Sequence, residues 1–383
     1  MRIKKEVRKI VASVLAFLMV VSLIPVNSLM TKANAASKTT FEGGKTVEDG
    51  TWKGWTWNVF GSSTDVTKAF ATDTGNGGVT LEVTGDKGKI NGSASDQGLN
   101  TFLYELDKSY DFTITAQAKV DTLAANAQAA FGLTIRDNVG AHGNTAKLTA
   151  DKNNFAFVGG YGNQAASGHG NAGYKTTALA HTRLGESPEV GGTYDLAIQK
   201  VGDSVKLYFN GEVAAECSAD DLITDNAMYV GLFAARNAKV TFNNVKLAYT
   251  QDSSSVKVTT NVTAPKKTTY CAGNTYEDVD LTGFKATVSV DGKEREITAS
   301  DCVVDMSNDP FAEVTDAGKL NLLYLGQTIE VPITVIKEVV SDMYIEYMPV
   351  KTDYMVTDTA LDFTGLVLSL IHISEPTRHL RIS

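Results

Sequence analysis

From Phe41 to Tyr249 apolar and polar residues alternate in short runs separated by Gly, Asn and Asp. In Asp111 to Val120, Phe112, Ile114, Ala116, Ala118 and Val120 fall on one face, and Thr113, Thr115, Gln117 and Lys119 on the other. A period of two with one wet face predicts a strand of an antiparallel sheet. The same pattern predicts strands at Val79 to Thr84, Ala129 to Arg136, Asn154 to Gly160, Thr193 to Val201, Ser204 to Phe209, Met228 to Ala234 and Lys239 to Tyr249. Asn210-Gly211, between Val205–Phe209 and Glu212–Ala215, predicts a type I′ hairpin, because both central residues need positive φ. Ten or more strands over roughly 210 residues exceed an immunoglobulin sandwich of about 100 and predict a two-sheet jelly roll. The Ala-rich Thr122 to Gln128 reads as a loop or a single helical turn.

Beyond the polar linker Gln251 to Ser255, residues Val256 to Val340 alternate again. Asp291-Gly292 predicts a hairpin between Ala286–Val290 and Glu294–Thr298, and Gln327 to Val335 reads as a closing strand. Ala264-Pro265-Lys266-Lys267-Thr268-Thr269-Tyr270, leading to Asp280-Leu281-Thr282-Gly283-Phe284, returns as Met348-Pro349-Val350-Lys351-Thr352-Asp353-Tyr354, leading to Asp362-Phe363-Thr364-Gly365-Leu366. Pro265 and Pro349 are 84 positions apart, Gly283 and Gly365 82, so the copies differ by two residues in the intervening loop. A unit of about 85 residues suits a small immunoglobulin-type sandwich. The second copy, residues 343–367, holds two strands of a fold that needs about seven, and is expected to be disordered or wrongly paired. The reading is therefore all-β: an antiparallel jelly-roll sandwich, an Ig-like sandwich and a truncated second Ig-like repeat.

Two resemblances follow from these stretches. Tyr194 to Glu212, Tyr229-Val230-Gly231-Leu232-Phe233 and the closing Val240-Thr241-Phe242-Asn243-Asn244-Val245 resemble concanavalin A-like (laminin-G-like) jelly rolls, over residues 41–250. That resemblance implies a fold more than a function, because such sandwiches serve lectins, glycosidases and passive spacers alike. Pro265, Lys267-Thr268, Tyr270, Gly273, Asp280 to Gly283, Val288, Val290 to Gly292 and Ile297-Thr298 resemble bacterial Ig-like repeats of the group 3 type over residues 256–340, with Cys271 a departure from the pattern. Leu368 to Arg378 is similar to a translated sequencing adaptor, so residues 368–383 are set aside from functional reasoning.

The N-terminus alters the setting. Arg2, Lys4, Lys5, Arg8 and Lys9, the apolar Ile10 to Ile24 and Ala33-Asn34-Ala35 read as a secretory signal over residues 1–35. Fifteen apolar residues ended by Pro25 fall short of the ~20 that span a bilayer, so no span is expected after cleavage. Cleavage removes six bases and one acid, taking the net charge from −9 to −14, and setting aside 368–383 leaves −15. Such an acidic surface, with its Lys and Arg scattered, argues against nucleic-acid binding. Cys271 and Cys302 lie within one repeat and can form a disulfide in an oxidising compartment, leaving Cys217 over; the competing reading makes all three small buried hydrophobes.

Candidate chemistry is sparse. Trp52, Trp55 and Trp57 form the densest aromatic cluster, either a platform for sugar rings or a strand closing the core. Arg136-Asp137-Asn138 and Arg236-Asn237-Ala238 each follow an apolar strand and read as one rim of a sheet. With Asn153, Tyr161 and Arg183 they are candidates to line a polar cleft for hydroxyls, against the plainer reading of strand-end ion pairs and caps. Glu105-Leu106-Asp107 places two acids on one side of a strand, as retaining glucanases do, but Ser109 stands where a third is needed, and a solvated edge explains the pair more simply. His142, His169 and His181 sit on Gly-rich stretches read as loops, without metal-ligand spacing. No cofactor or metal is expected, although similar sandwiches hold a structural calcium ion.

These readings make the chain the non-catalytic N-terminal portion of a secreted or cell-surface bacterial protein that degrades polysaccharide. Its jelly roll binds a polysaccharide or cell-surface glycan, its Ig-like units are spacers, and the catalytic domain is missing. The alternatives are a surface adhesin or stalk, and a catalytic jelly-roll glycosidase. Oligomeric state is not legible.

Overall fold

A computed structural model describes residues 39–372, apart from 63, 91–96, 149–152, 163, 171–179, 186, 338–339 and 358–359. The signal read over residues 1–35 and the segment 373–383 lie outside the described residues.

The alternating runs become strands at nearly the expected bounds. The first are β1 (Thr39–Thr40), β2 (Trp55–Phe60), β3 (Ala69–Asp73), β4 (Val79–Val83), β5 (Leu99–Asp107), β6 (Asp111–Leu123), β7 (Ala130–Arg136) and β8 (Phe155–Tyr161). Then come β9 (Gln164–Gly170), β10 (Ala180–Arg183), β11 (Thr193–Val201), β12 (Ser204–Phe209), β13 (Glu212–Ser218), β14 (Ala227–Ala235) and β15 (Ala238–Thr250). They form an eight-stranded sheet, β1-β3-β4-β15-β6-β11-β12-β13, and a seven-stranded sheet, β10-β9-β8-β7-β14-β5-β2. All pairings are antiparallel, and the two sheets make a jelly-roll sandwich. Phe112, Ile114 and Val120 of one sheet and Phe102, Leu133, Ile135 and Leu232 of the other share its core. Asn210 and Gly211 have φ of 49° and 84°, so the I′ turn joins β12 to β13 as the dipeptide requires.

The second unit contains β16 (Lys257–Thr263), β17 (Thr269–Cys271), β18 (Lys285–Val290), β19 (Lys293–Thr298), β20 (Val303–Asp305), β21 (Thr315–Tyr324) and β22 (Gln327–Ile336). A three-stranded sheet, β16-β18-β19, and a four-stranded sheet, β17-β22-β21-β20, enclose Tyr270, Phe284, Val288, Phe311, Leu320 and Val331. Asp291 and Gly292, with φ of 51° and 73°, make the second expected I′ turn.

One expectation fails at the junction of the two units. Alternation puts Thr113 and Thr115 on a wet face, yet both are buried, because the second unit packs on the outer face of the eight-stranded sheet. Thr115 Oγ1 donates to Ser300 O at 2.6 Å, and Ala197 and Tyr208 pack on Val303 and Leu323. Gln327 Nε2 also donates to Ser253 O at 2.9 Å, and Thr250 Oγ1 to Asp291 Oδ1 at 2.6 Å.

The repeated motif folds alike in both copies. Tyr270 Oη accepts from Asp280 N at 3.3 Å, Thr282 N donates to Asp280 Oδ1 at 2.9 Å, and Lys266 N donates to Thr282 O at 2.9 Å. In the second copy Tyr354 Oη accepts from Asp362 N at 2.7 Å, Thr364 N donates to Asp362 Oδ1 at 2.9 Å, and Val350 N donates to Thr364 O at 2.8 Å. Lys267 and Lys351 lie 4.8 and 4.6 Å over the two tyrosine rings. Strands β23 (Val340–Tyr347) and β24 (Val367–His372) pair with each other, so Leu368 to His372, which the sequence reading set aside, complete a two-stranded sheet.

Candidate functional site

The tryptophans are core. Period two puts Trp55 and Trp57 of β2 on the inner face, and Trp52, Trp55 and Trp57 are only 4%, 6% and 8% exposed. Trp55 stacks on Phe102 at 5.2 Å, and Trp52 sets its edge against both rings. Trp57 Nε1 donates to Asn100 Oδ1 at 2.7 Å, and Asn100 Nδ2 donates to Phe70 O and Glu82 O, linking the two sheets. A sugar platform here is ruled out by burial. Asn100 was not singled out from the sequence, because a lone Asn in an apolar strand carries no spacing signal.

The proposed rim does not exist as one site. Strands β7 and β14 run antiparallel, with Arg136 opposite Tyr229 and Ala130 opposite Ala235, so Arg136 and Arg236 follow strands that end at opposite ends of the sheet. Asn138 and Asn153 gather at Arg136. At the other end Arg183 Nη1 donates to Tyr161 O at 3.1 Å and its guanidinium lies 5.8 Å from the Tyr161 ring centre, while Arg236 Nε donates to Gly88 O at 3.1 Å. The six residues therefore divide into two groups of three.

Arg136 is fully buried between the rings of Phe60 and Phe155, at 5.6 and 5.0 Å. Its Nη2 donates to Gln97 Oε1 at 2.8 Å and Asn153 Oδ1 at 2.6 Å, and its Nε donates to Asn138 O at 3.2 Å. Burial lowers its pKa to about 10, which still leaves it charged at neutral pH. Burial pushes the neighbouring Asp137 up to about 6, although its carboxylate accepts from Asn154 N, Asn154 Nδ2 and Thr224 Oγ1. Arg136 Nη1, Asn153 Nδ2 and Asn154 Oδ1 have no hydrogen-bond partner among the described residues.

This cluster anchors a connection that crosses the outer face of the seven-stranded sheet. Further along it, His142 Nδ1 accepts from Val59 N at 3.2 Å, its ring meets Trp57 edge-on at 4.9 Å, and Gly143 N donates to Val59 O at 2.8 Å. Beneath lie Phe60, Leu99, Phe155, Phe157 and Phe233, all fully buried as a second core of the sandwich. Val139 and Leu148 of this connection pack on that second core, and its His142–Gly143 stretch caps the free edge of β2.

The other candidates are solvated or structural. Glu105 and Asp107 are both exposed; Asp107 accepts from Ser109 N at 2.9 Å, and the Ser109 hydrogen bonds hold its carboxyl below the usual value. His169 and His181 belong to the paired strands β9 and β10, contrary to the loops expected. Among the described residues no group of three His, Cys, Asp or Glu side chains is arranged to hold a metal ion. None of the three cysteines forms a disulfide; Cys271 and Cys302, offered as a possible bridge, are both free and buried. Burial pushes the Cys217 thiol up to about 12, away from nucleophilic character.

Open space lies instead between the sandwich and the second unit. One cavity of about 330 Å³ is walled by Gln117, Asp195, Asn210 and Asn244 on the sandwich side and by Leu281, Val304 and Met306 on the other. A second, of about 420 Å³, lies beyond Tyr208 and is lined by Lys206, Val213, Asp305 and Leu323. Neither cavity is legible in the sequence, since their walls come from strands far apart in the chain.

No known protein-family profile matches the chain. It is 29% identical over 311 residues to pectate lyase L of Thermoclostridium stercorarium, a match that covers 80% of this chain and 23% of that protein. The chain thus spans under a quarter of the length of the curated relative it matches. Among solved structures it is similar to the carbohydrate binding module CBM66 from Bacillus subtilis, at 17% identity over 54% of this chain and 98% of that one, with a TM-score of 0.31. It is also similar to lectin II from Ulex europaeus, at 10% identity over 55% and 98%, with a TM-score of 0.34. At such scores the structural likenesses carry no argument, and the jelly-roll sandwich rests on the strand order of the chain itself.

Proposed function

We propose that the chain is the glycan-binding and spacer portion of a secreted or cell-surface bacterial protein that degrades polysaccharide, with the degradative chemistry carried elsewhere in a longer polypeptide. The observation behind this reading is the similarity to a pectate lyase. A match of 311 residues is longer than everything before the second unit, so it reaches into that unit. The exposed, hydrogen-bonded Asp107 supports a non-catalytic role for the sandwich. The buried contacts at the junction support a spacer that holds the sandwich in a set orientation.

The test is affinity electrophoresis of the chain from residue 36 onward in gels of polygalacturonate, alginate, β-glucan and host glycans. Retardation by at least one polymer is expected, without shortening of that polymer. No retardation in any gel removes the binding role. Cleavage by the wild-type chain that disappears in Glu105→Gln establishes the catalytic alternative.

A further inference from the structure

Polar and apolar residues share the junction cavity, with its Asn, Gln and Asp side chains on the sandwich side, beside Ala116, Leu196 and Ala197, and Tyr276 and Ser300 on the other. On the sandwich side, Gln117 of β6 and Asp195 of β11 sit opposite one another in register, and Gln117 Nε2 donates to Asp195 Oδ1 at 3.1 Å. Asn210 Oδ1 accepts from Asp195 N at 2.9 Å, which holds the Asn210 amide beside that pair. Asn244 lies in the irregular stretch of β15 between Asn243 and Lys246. Asn210 and Asn244 take left-handed φ of 49° and 50°, a conformation that Asn tolerates better than most residues. The second unit also brings the apolar Val279, Leu281, Ala299, Val304 and Met306.

We propose that this cavity binds a neutral pyranose, either as a free sugar or as the end of a neutral glycan chain. The inference rests on the reading of the chain as glycan-binding, and adds to it a place and a ligand class. A pyranose has apolar C–H faces and a rim of hydroxyls, each of which both donates and accepts. The apolar residues suit the former. On the sandwich side Asp195 Oδ2 and Gln117 Oε1 supply acceptors, and Asn210 Nδ2 and the Asn244 amide supply donors. The volume of about 330 Å³ lies at the small end of ligand pockets, which run from ~300 to ~1,000 Å³ and favour domain interfaces. Charge selects among sugars. The Asp195 carboxylate stands at the cavity of a chain with net charge −9, so a uronate carboxylate is repelled where a hydroxyl is welcomed.

The test is a titration, by isothermal calorimetry and by NMR, of the chain from residue 36 onward with glucose, galactose, mannose, their β-linked disaccharides and galacturonate. At least one neutral sugar is expected to bind, with galacturonate weaker by about tenfold or more, the scale of one hydrogen bond to a charged group. A disaccharide that binds tighter than its monosaccharide identifies the chain end as the ligand; equal affinities identify the single sugar. Asp195→Ala and Asn244→Gly, both at exposed positions, should weaken binding by about tenfold with the melting temperature unchanged. Failure of every neutral sugar to bind overturns the proposal, as does binding that both variants leave intact, or galacturonate binding as tightly as the neutral sugars. If polymer retention survives while the variants change nothing, the glycan-binding reading stands and the place is wrong. If neither sugars nor polymers bind, both fail.

Discussion

Thr113 and Leu325 meet across the junction: the Leu325 backbone N–H donates to Thr113 Oγ1 at 3.1 Å, and both residues are buried. Leu325 and Gly326 have φ of 46° and 77°, the I′ geometry of a hairpin between β21 and β22. A leucine is costly in that region of backbone space. Its side chain lies in the core of the second unit and its N–H is held by the sandwich, so packing from both sides sustains the turn. Thr113→Val leaves a buried N–H without a partner, which should destabilise the junction by about 1–3 kcal/mol. All three tryptophans lie in the sandwich, so fluorescence follows that unit while circular dichroism follows both. In the variant the two unfolding curves should separate; curves that coincide as in the wild type refute the coupling.

Arg136 should be structural. Arg136→Ala opens a void under Phe60 and Phe155 and removes the donor to Asn153 Oδ1, at a loss of about 3–5 kcal/mol. Arg136→Met fills much of the void without burying a charge, and should recover most of that loss. Urea denaturation of the two variants decides the point. Equal losses show that the guanidinium hydrogen bonds, not volume, dominate.

Asp137 gives the sandwich a pH dependence of predictable sign. Its carboxyl is near 3.8 unfolded and about 6 folded, so the folded state holds the proton more tightly. The stability this supplies is complete below pH 3.8 and is lost as pH rises through about 6. At ~1.4 kcal/mol per pH unit the loss is capped near 3 kcal/mol. Asp137→Asn should abolish this component, whatever its own baseline stability. Denaturation midpoints at pH 4 and pH 7 in both proteins measure it. A wild type and variant with parallel pH profiles count against it.

Trp57→Phe deletes the indole donor to Asn100 and should cost about 1–3 kcal/mol of stability. Because the ring is buried, retention of the folded variant on any glycan that binds the wild type should be unchanged. Loss of retention without loss of stability would return the tryptophans to a binding role.

Much of the chain is decided by residues close in sequence. Alternation and the dipeptides Asn210-Gly211 and Asp291-Gly292 placed strands and turns, since face and φ depend on neighbours within a few positions. The Tyr270–Asp280 clasp shows this most plainly. It forms again at Tyr354 and Asp362, although Phe363 and Leu361 of that copy are exposed and no comparable core surrounds them among the described residues. What lay beyond such reach was the placement of faces against one another. Arg136 and Arg236 end similar strands, but antiparallel neighbours send those ends apart. The tryptophans look equally suited to stacking on a sugar or on Phe102, and only the closing of two sheets selects the second. Thr113 and Thr115 read as solvent-facing because nothing within β6 announces a unit more than a hundred residues later that covers them. Local pattern determines which side of a strand is apolar; burial of the polar side is a property of whatever the fold brings to rest upon it.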